Sequence, residues 1–189
     1  MPANINYTGP GGTLTFGGSG LVLNAVNIGG RAICRRQITV AGGDLNKRHA
    51  LTINVTRGPV IFRCGSASGG DEYIAETTLR TGLHSLALTP TGDFHLHFQN
   101  NDDINRIVAS VAVASAGTME LDIPYVAADL PYVRWDQSAD VIFLACKGYQ
   151  QRRIERRATD SWSLVLYQPR NGPFFSSRSA QVKLKPGAN

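Results

Sequence analysis

"RHALTINVTRGPVIFRCGSASGG", residues 48–70, decides the fold. In its first half Leu51, Ile53 and Val55 alternate with Thr52, Asn54 and Thr56, so apolar groups fall on one face and polar groups on the other. That period of two is the signature of a strand with one face against a core. Arg-Gly-Pro at 57–59 turns the chain, and residues 60–64 are predicted as a second strand.

The same grammar extends outward in both directions. Toward the N-terminus, strands are predicted near residues 14–16 and 21–27, bounded by Gly-Gly pairs. "AICRRQITVAGG" supplies another, with a change of parity around Arg35–Gln37 that predicts a bulge or bend. Toward the C-terminus, residues 71–100 supply three more. Leu86 and Leu88 share a face, as do Phe94, Leu96 and Phe98. Residues 104–123 then give a long strand carrying Val111 and Val113, a turn at Ala116-Gly117 and a last strand. About eight to ten strands at this spacing predict an all-β fold, an antiparallel jelly-roll-like β-sandwich over residues 1–123.

Composition agrees with that class. Of the 189 residues 42% are apolar, enough for an ordinary core, and 20 are glycine, in keeping with many turns. Cys34, Cys64 and Cys146 lie far apart with no Cys-x-x-Cys spacing, so they are read as buried, reduced thiols and the chain as one that folds in a reducing cytoplasm. "MPANINYTGP" has no apolar signal-peptide core, and no window is long enough for a membrane span. A net charge of +5 is mild for a dedicated nucleic-acid binder, and it concentrates at Arg31/Arg35/Arg36 and Arg152/Arg153/Arg156/Arg157.

At Pro124 the composition changes, and residues 124–189 are expected to form a small β-rich unit that docks on the sandwich, being too short for an ample core of its own. A short helical turn is predicted around residues 127–130 and a buried strand at 141–145. "RRIERRAT" and "SWSLVLYQ" follow as a hairpin with Trp162, Leu164 and Leu166 on one face, and a late alternating stretch is predicted at 182–184.

"IPYVAADLPYVRWDQSADVIFLACKGYQQRRIERRATDSWSLVLYQPRNGPF" resembles the recurring pattern of a family of large bacteriophage tail proteins, which form the tube or nozzle of short-tailed phages and related prophages. In phase with that pattern are Pro124, Tyr125, Asp129, Leu130, Gln137, Ser138, Ala139, Asp140 and Val141. Arg153, Arg156, Trp162 and Gly172-Pro173-Phe174 continue it. Residues 57–100 are similar to the carbohydrate-module-like sandwich of such proteins. The chain departs from the family at Cys146, where histidine is common, and in "KGYQQRR", which replaces a proline-rich turn. The resemblance implies a non-enzymatic virion protein, made in the host cytoplasm and built into the tail as tube, nozzle or adaptor. It would contact copies of itself in a ring and other tail or portal-associated proteins, with no cofactor. Passing contact with DNA is the lesser expectation, because strong phosphate attraction would hinder passage.

Against this stand the chemical constellations. On a strand, Arg153, Glu155 and Arg157 share one face and Arg152, Ile154 and Arg156 the other. With a single Ile among them, the strand is expected at a sheet edge or against a partner. Arg152, Arg153, Arg156 and Arg157 are therefore assigned to subunit contacts, with Trp135 and Trp162 as packing anchors. The alternative is a carbohydrate-binding module for surface glycans, using Tyr73, Trp135 and Tyr149 as stacking platforms. A hydrolase is the third and weakest reading. Asp71, Glu72 and Glu76 lack a substrate-lining aromatic series, and "GSASGGD" lacks the lysine of a phosphate loop. His95 and His97 share a strand face with Asp93, but no third metal ligand is signalled, so the two histidines are read as polar residues on the solvent face. Asp102-Asp103 is read as a polar loop without a bound ion.

Overall fold

A computed structural model describes residues 5–8, 14–17, 20–24, 29–114 and 117–168. The strand expected at 182–184 and the Gly172-Pro173-Phe174 match lie outside the described residues, as do residues 25–28. Ten strands precede residue 120. They are β1 (Ile5–Thr8), β2 (Leu14–Gly17), β3 (Gly20–Leu23), β4 (Ala32–Ile38) and β5 (His49–Arg57), then β6 (Val60–Gly65), β7 (Ile74–Leu79), β8 (Gly82–Leu88), β9 (Phe94–Asn100) and β10 (Arg106–Ala114). Four more follow: β11 (Arg134–Ser138), β12 (Val141–Ala145), β13 (Arg152–Ala158) and β14 (Ser161–Leu166). Two short 3-10 helices complete the order, at Gly42–Asp44 and Ala127–Tyr132. Among the described residues no helix is long and apolar enough to cross a membrane.

All pairings are antiparallel, in two sheets ordered β1-β4-β9-β6-β7 and β11-β12-β13-β14-β8-β5-β10-β3-β2. Strands β3 to β10 alone make two four-stranded layers, β3-β10-β5-β8 and β4-β9-β6-β7, which is the order of an eight-stranded jelly roll. The predicted all-β sandwich is therefore the observed fold.

Between the layers lies the core that alternation predicted. Leu51, Ile53 and Val55 meet Phe62, Leu86, Phe94, Leu96 and Phe98, all almost wholly buried, and the Phe62 and Phe98 rings stand 5.0 Å apart. Each such side chain contributes roughly 1.5–3 kcal/mol by leaving water. The three cysteines are free and buried, and burial lifts the Cys34 and Cys64 thiols to about 11 and about 12.

Four sequence expectations change. Strand β4 pairs with β9 in unbroken register from Ala32↔Asn100 to Ile38↔Phe94, so no bulge interrupts it; the apparent parity change arises because Ile33 is buried on the face away from Cys34. Residues 117–126 contain no strand, so the last strand expected after the Ala116-Gly117 turn does not form. Strand β12 is only half-buried, its apolar run shared between two partly covered faces. Finally, β13 is no edge: it pairs with β12 on one side and β14 on the other.

The segment after Pro124 docks by extending the larger sheet. Strand β14 pairs with β8 from Ser161↔Leu86 to Val165↔Gly82, and β13, β12 and β11 follow as a meander. Arg48, just before β5, forms an ion pair with Asp160 in the β13–β14 turn, and the Ala87 N–H bonds the Asp160 carbonyl at 3.0 Å.

Candidate functional site

Strand alternation divides the arginine cluster into two populations with different work. Glu155 lies opposite Ser163, which lies opposite His84, which lies opposite the core residue Ile53, so the Arg153–Glu155–Arg157 face continues the inner face of the sheet. There Arg153 and Glu155 form an ion pair at 2.6 Å, with the Ser163 hydroxyl donating to Glu155 at 3.3 Å. Arg157 reaches further in. Its guanidinium donates to Ser161 Oγ (3.2 Å), to His84 Nδ1 (3.2 Å) and to the Thr78 carbonyl (3.5 Å), which ties the extension to β7 at the edge of the opposite sheet. Arg153 is thus paired within β13, and Arg157 ties the extension to the opposite sheet.

Arg152 and Arg156 lie on the outer face. Arg156 sits 3.7 Å from Asp140 and 5.8 Å from the centre of the Trp162 ring, an exposed arrangement of small energetic weight. Trp162 is half-buried and donates its indole N–H to the Thr159 carbonyl at 3.1 Å, so it anchors the hairpin. Arg152 makes no hydrogen bond or ion pair among the described residues, and its Nε is buried without a partner. On that face it lies opposite Leu144, which lies opposite Trp135, and its charge acts on the Tyr125 phenol; a groove of about 370 Å³ opens on the other face, among Arg134, Phe143, Gln151 and Tyr167.

Trp135 is 69% exposed on β11, the last strand of the nine-stranded sheet among the described residues. Sequence reasoning did not find β11, because "RWDQS" shows no apolar alternation and every residue of it is exposed. It exists because Ala139 accepts a left-handed φ of 50°, allowing a two-residue loop to fold Arg134–Ser138 back on Val141–Ala145.

Next to β11 the 3-10 segment presents more apolar surface. Of the six large apolar side chains exposed among the described residues, five lie here: Ile123, Val126, Leu130, Tyr132 and Trp135. The segment is pinned from behind. Tyr149 donates its hydroxyl to Asp129 Oδ2 at 2.6 Å and meets the Tyr125 ring edge-on at 5.1 Å, while Asp129 Oδ2 also accepts the Val126 N–H at 3.0 Å. The Asp129 hydrogen bond holds the Tyr149 phenol above its ordinary pKa. Replacing Tyr149 with phenylalanine removes that tether. The amides of residues 127–130 and of Tyr132 and Val133 should then exchange hydrogen several-fold faster while the melting temperature of the sandwich hardly moves; unchanged exchange would show that the tether is idle.

The glycan platforms do not converge. Tyr73 is half-buried against the core, and its hydroxyl is held by Thr91, 3.1 Å from Oγ1 and 3.2 Å from the backbone nitrogen. Tyr149 is occupied by Asp129, which leaves Trp135 as the free ring of the three. The carboxylates also separate. Glu72 bonds the Ser66 N–H and is held below the ordinary range by its own N–H and that of Ser66, whereas Glu76 pairs with Arg63 at 2.9 Å.

The histidine expectation is corrected. His97 is wholly buried on the outer face of the smaller sheet, covered by Arg35 from β4 and Arg63 from β6. Arg35 Nε donates to His97 Nδ1 at 3.2 Å, so Nε2 carries the proton and donates to Gln99 Oε1 at 3.1 Å. Burial, with the two arginines, holds this imidazole down to about 4. Among the described residues no group of three or more His, Cys, Asp or Glu is placed to hold a metal ion. No protein-family model, curated protein or solved structure matches the chain.

Proposed function

We propose that the chain is a structural, non-enzymatic component of a bacteriophage tail, serving as tube, nozzle or adaptor through subunit contacts in a ring. The observation that carries this reading is the concentration of exposed apolar side chains at Ile123, Val126, Leu130, Tyr132 and Trp135, on and beside the last strand of the larger sheet. Exposed large apolar groups scattered singly need no explanation, but a run of them rimmed by charge marks a surface that is covered in the assembled state. The same stretch carries the sequence resemblance, from Pro124 onward. The jelly roll, on this reading, is the rigid block and the sheet extension its coupling surface.

Light scattering on the purified chain tests the proposal. A discrete oligomer is expected, and Trp135→Ala combined with Leu130→Ser should weaken it by roughly 30-fold or more, the effect of losing a central aromatic anchor. An oligomer indifferent to both changes would refute the assignment of this surface. The glycan alternative rests on Trp135 alone. A glycan array on which the wild-type chain binds and Trp135→Ala does not would favour it over assembly.

A further inference from the structure

The larger sheet runs past the layer that covers it. The smaller sheet ends at β7, which Arg157 of β13 still reaches through the Thr78 carbonyl. Strands β12 and β11 carry the same inward face further, and there its side chains are half-buried or exposed. The groove of about 370 Å³ opens on this overhang. Register gives it its shape. Asp136 lies opposite Phe143, while Arg134 lies opposite Ala145, and a methyl beside a ring leaves a depression. Across from β11 stand Gln151, just before β13, and Tyr167, just past β14, with the Tyr167 N–H on the Gln151 carbonyl at 2.9 Å. The Tyr167 ring meets Phe143 edge-on at 5.4 Å, so the two rings hold each other in place.

The polar groups around this depression are uncommitted. Neither the Gln151 amide nor the Tyr167 hydroxyl has a hydrogen-bond partner among the described residues. Asp136 accepts the Gln137 N–H on Oδ1 at 2.9 Å and keeps Oδ2 free among the described residues. Arg134 donates from Nη1 to the Pro131 and Val133 carbonyls and has Nη2 left over. Together these side chains offer donors and acceptors in close alternation. Their charges cancel, Arg134 against Asp136, and Arg153 opposite Phe143 is already paired with Glu155. A phosphate or a nucleic acid would need a surplus of positive charge. A purely apolar ligand would cover four unpaired polar side chains at a cost. A molecule with hydroxyls around its rim and C–H bonds on its faces matches both halves of the lining.

We infer that this groove binds a neutral saccharide, its ring against the Phe143–Tyr167 pair and its hydroxyls on Gln151, Asp136 and Arg134. The volume lies at the lower end of ordinary small-molecule sites and fits a mono- or disaccharide. The site goes beyond the tail reading and does not depend on it. It is also separate from Trp135, which lies on the other face of β11.

An array of neutral and acidic saccharides, probed with the full chain, tests it; neutral sugars should be bound. In a titration with the best-bound sugar, followed by saturation-transfer NMR, Tyr167→Ala and Gln151→Ala should each weaken binding about tenfold. Tyr167→Phe, which keeps the ring and loses the hydroxyl, should weaken it roughly threefold. Gln151 is exposed, so its variant is expected to fold, and a thermal melt on each variant separates lost folding from lost contact. Binding that survives Tyr167→Ala and Gln151→Ala but not Trp135→Ala would move the sugar to the outer face and overturn this site. So would an array on which acidic saccharides alone are bound, or none. Sedimentation velocity on the same samples reads self-association. A chain that assembles but binds no sugar keeps the tail reading and loses this one, and a monomer that binds sugar does the reverse.

Discussion

Gly82→Ala should lower the stability of the protein by at least about 3 kcal/mol and split its unfolding into two steps. Gly82 begins β8 with φ at +147°, where only glycine is at ease, and a Cβ there would lie 2.3 Å from the Leu164 carbonyl oxygen and 2.6 Å from Val165 Cα. Both contacts are backbone, so neither can swing aside. The clash falls on the β8–β14 ladder, through which β11 to β14 join the rest of the sheet. Both tryptophans, Trp135 and Trp162, lie in that extension, so fluorescence follows it alone while far-ultraviolet circular dichroism follows the whole fold. In urea the two probes should coincide for the wild type, and in the variant the fluorescence transition should come first. Coincident transitions at an unshifted midpoint would mean that the seam tolerates a side chain and that the extension is not held there.

Stability should also fall steeply in mild acid, well before the carboxylates titrate. Burial holds His84 down to about 4, helped by the Arg157 guanidinium, although a hydrogen bond to the Arg80 carbonyl pulls the other way. The geometry gives the reason: Nε2–H donates to the Arg80 carbonyl at 2.7 Å and Nδ1 accepts from Arg157 at 3.2 Å. A second proton would turn that acceptor into a donor facing a guanidinium. In the unfolded chain the same histidine titrates near its ordinary value of about 6.5, so the unfolded state takes up protons first as pH drops. The contribution is therefore complete above about pH 6.5 and is lost as pH falls toward 4. For His84 that is about 3 kcal/mol in all, of which about 2 kcal/mol is gone by pH 5. His97 acts in the same direction, beneath Arg35 and Arg63. Urea midpoints at pH 7.5, 6 and 5 measure the slope, and His84→Gln should flatten it. A midpoint constant over that range would contradict the burial of both rings.

The expectation that β13 lies at an edge failed for an instructive reason. Its parity was legible: Arg153, Glu155 and Arg157 do share one face, and Arg152, Ile154 and Arg156 the other. Which face turns inward depends on β14 finding β8, a pairing between residues about 80 positions apart, and no local pattern encodes it. Once it forms, an arginine on the inward face is stable because carbonyl, hydroxyl and imidazole acceptors already surround it. His97 was misplaced in the same way. Alternation put it on the polar face of β9, away from the row Phe94-Leu96-Phe98, but its burial comes from Arg35 and Arg63, 62 and 34 positions away. The surface stripe was hidden differently: Val126, Leu130 and Tyr132 have the composition of core residues, and only the Tyr149–Asp129 tether shows that they face outward.

What the chain determined by itself is everything that depends on neighbours two residues apart: the strands β5, β6, β8 and β9, the turns between them, and the core rows Leu51-Ile53-Val55 and Phe94-Leu96-Phe98. A buried face must repeat with the pleat, so the pattern is written locally. Tertiary structure alone decided the order of strands, the existence of the polar strand β11, and which arginines turn inward to bind their own chain. Those outcomes depend on which distant backbone edge is free to accept the next strand, and a hydrogen-bonding edge is the same whatever side chains it carries.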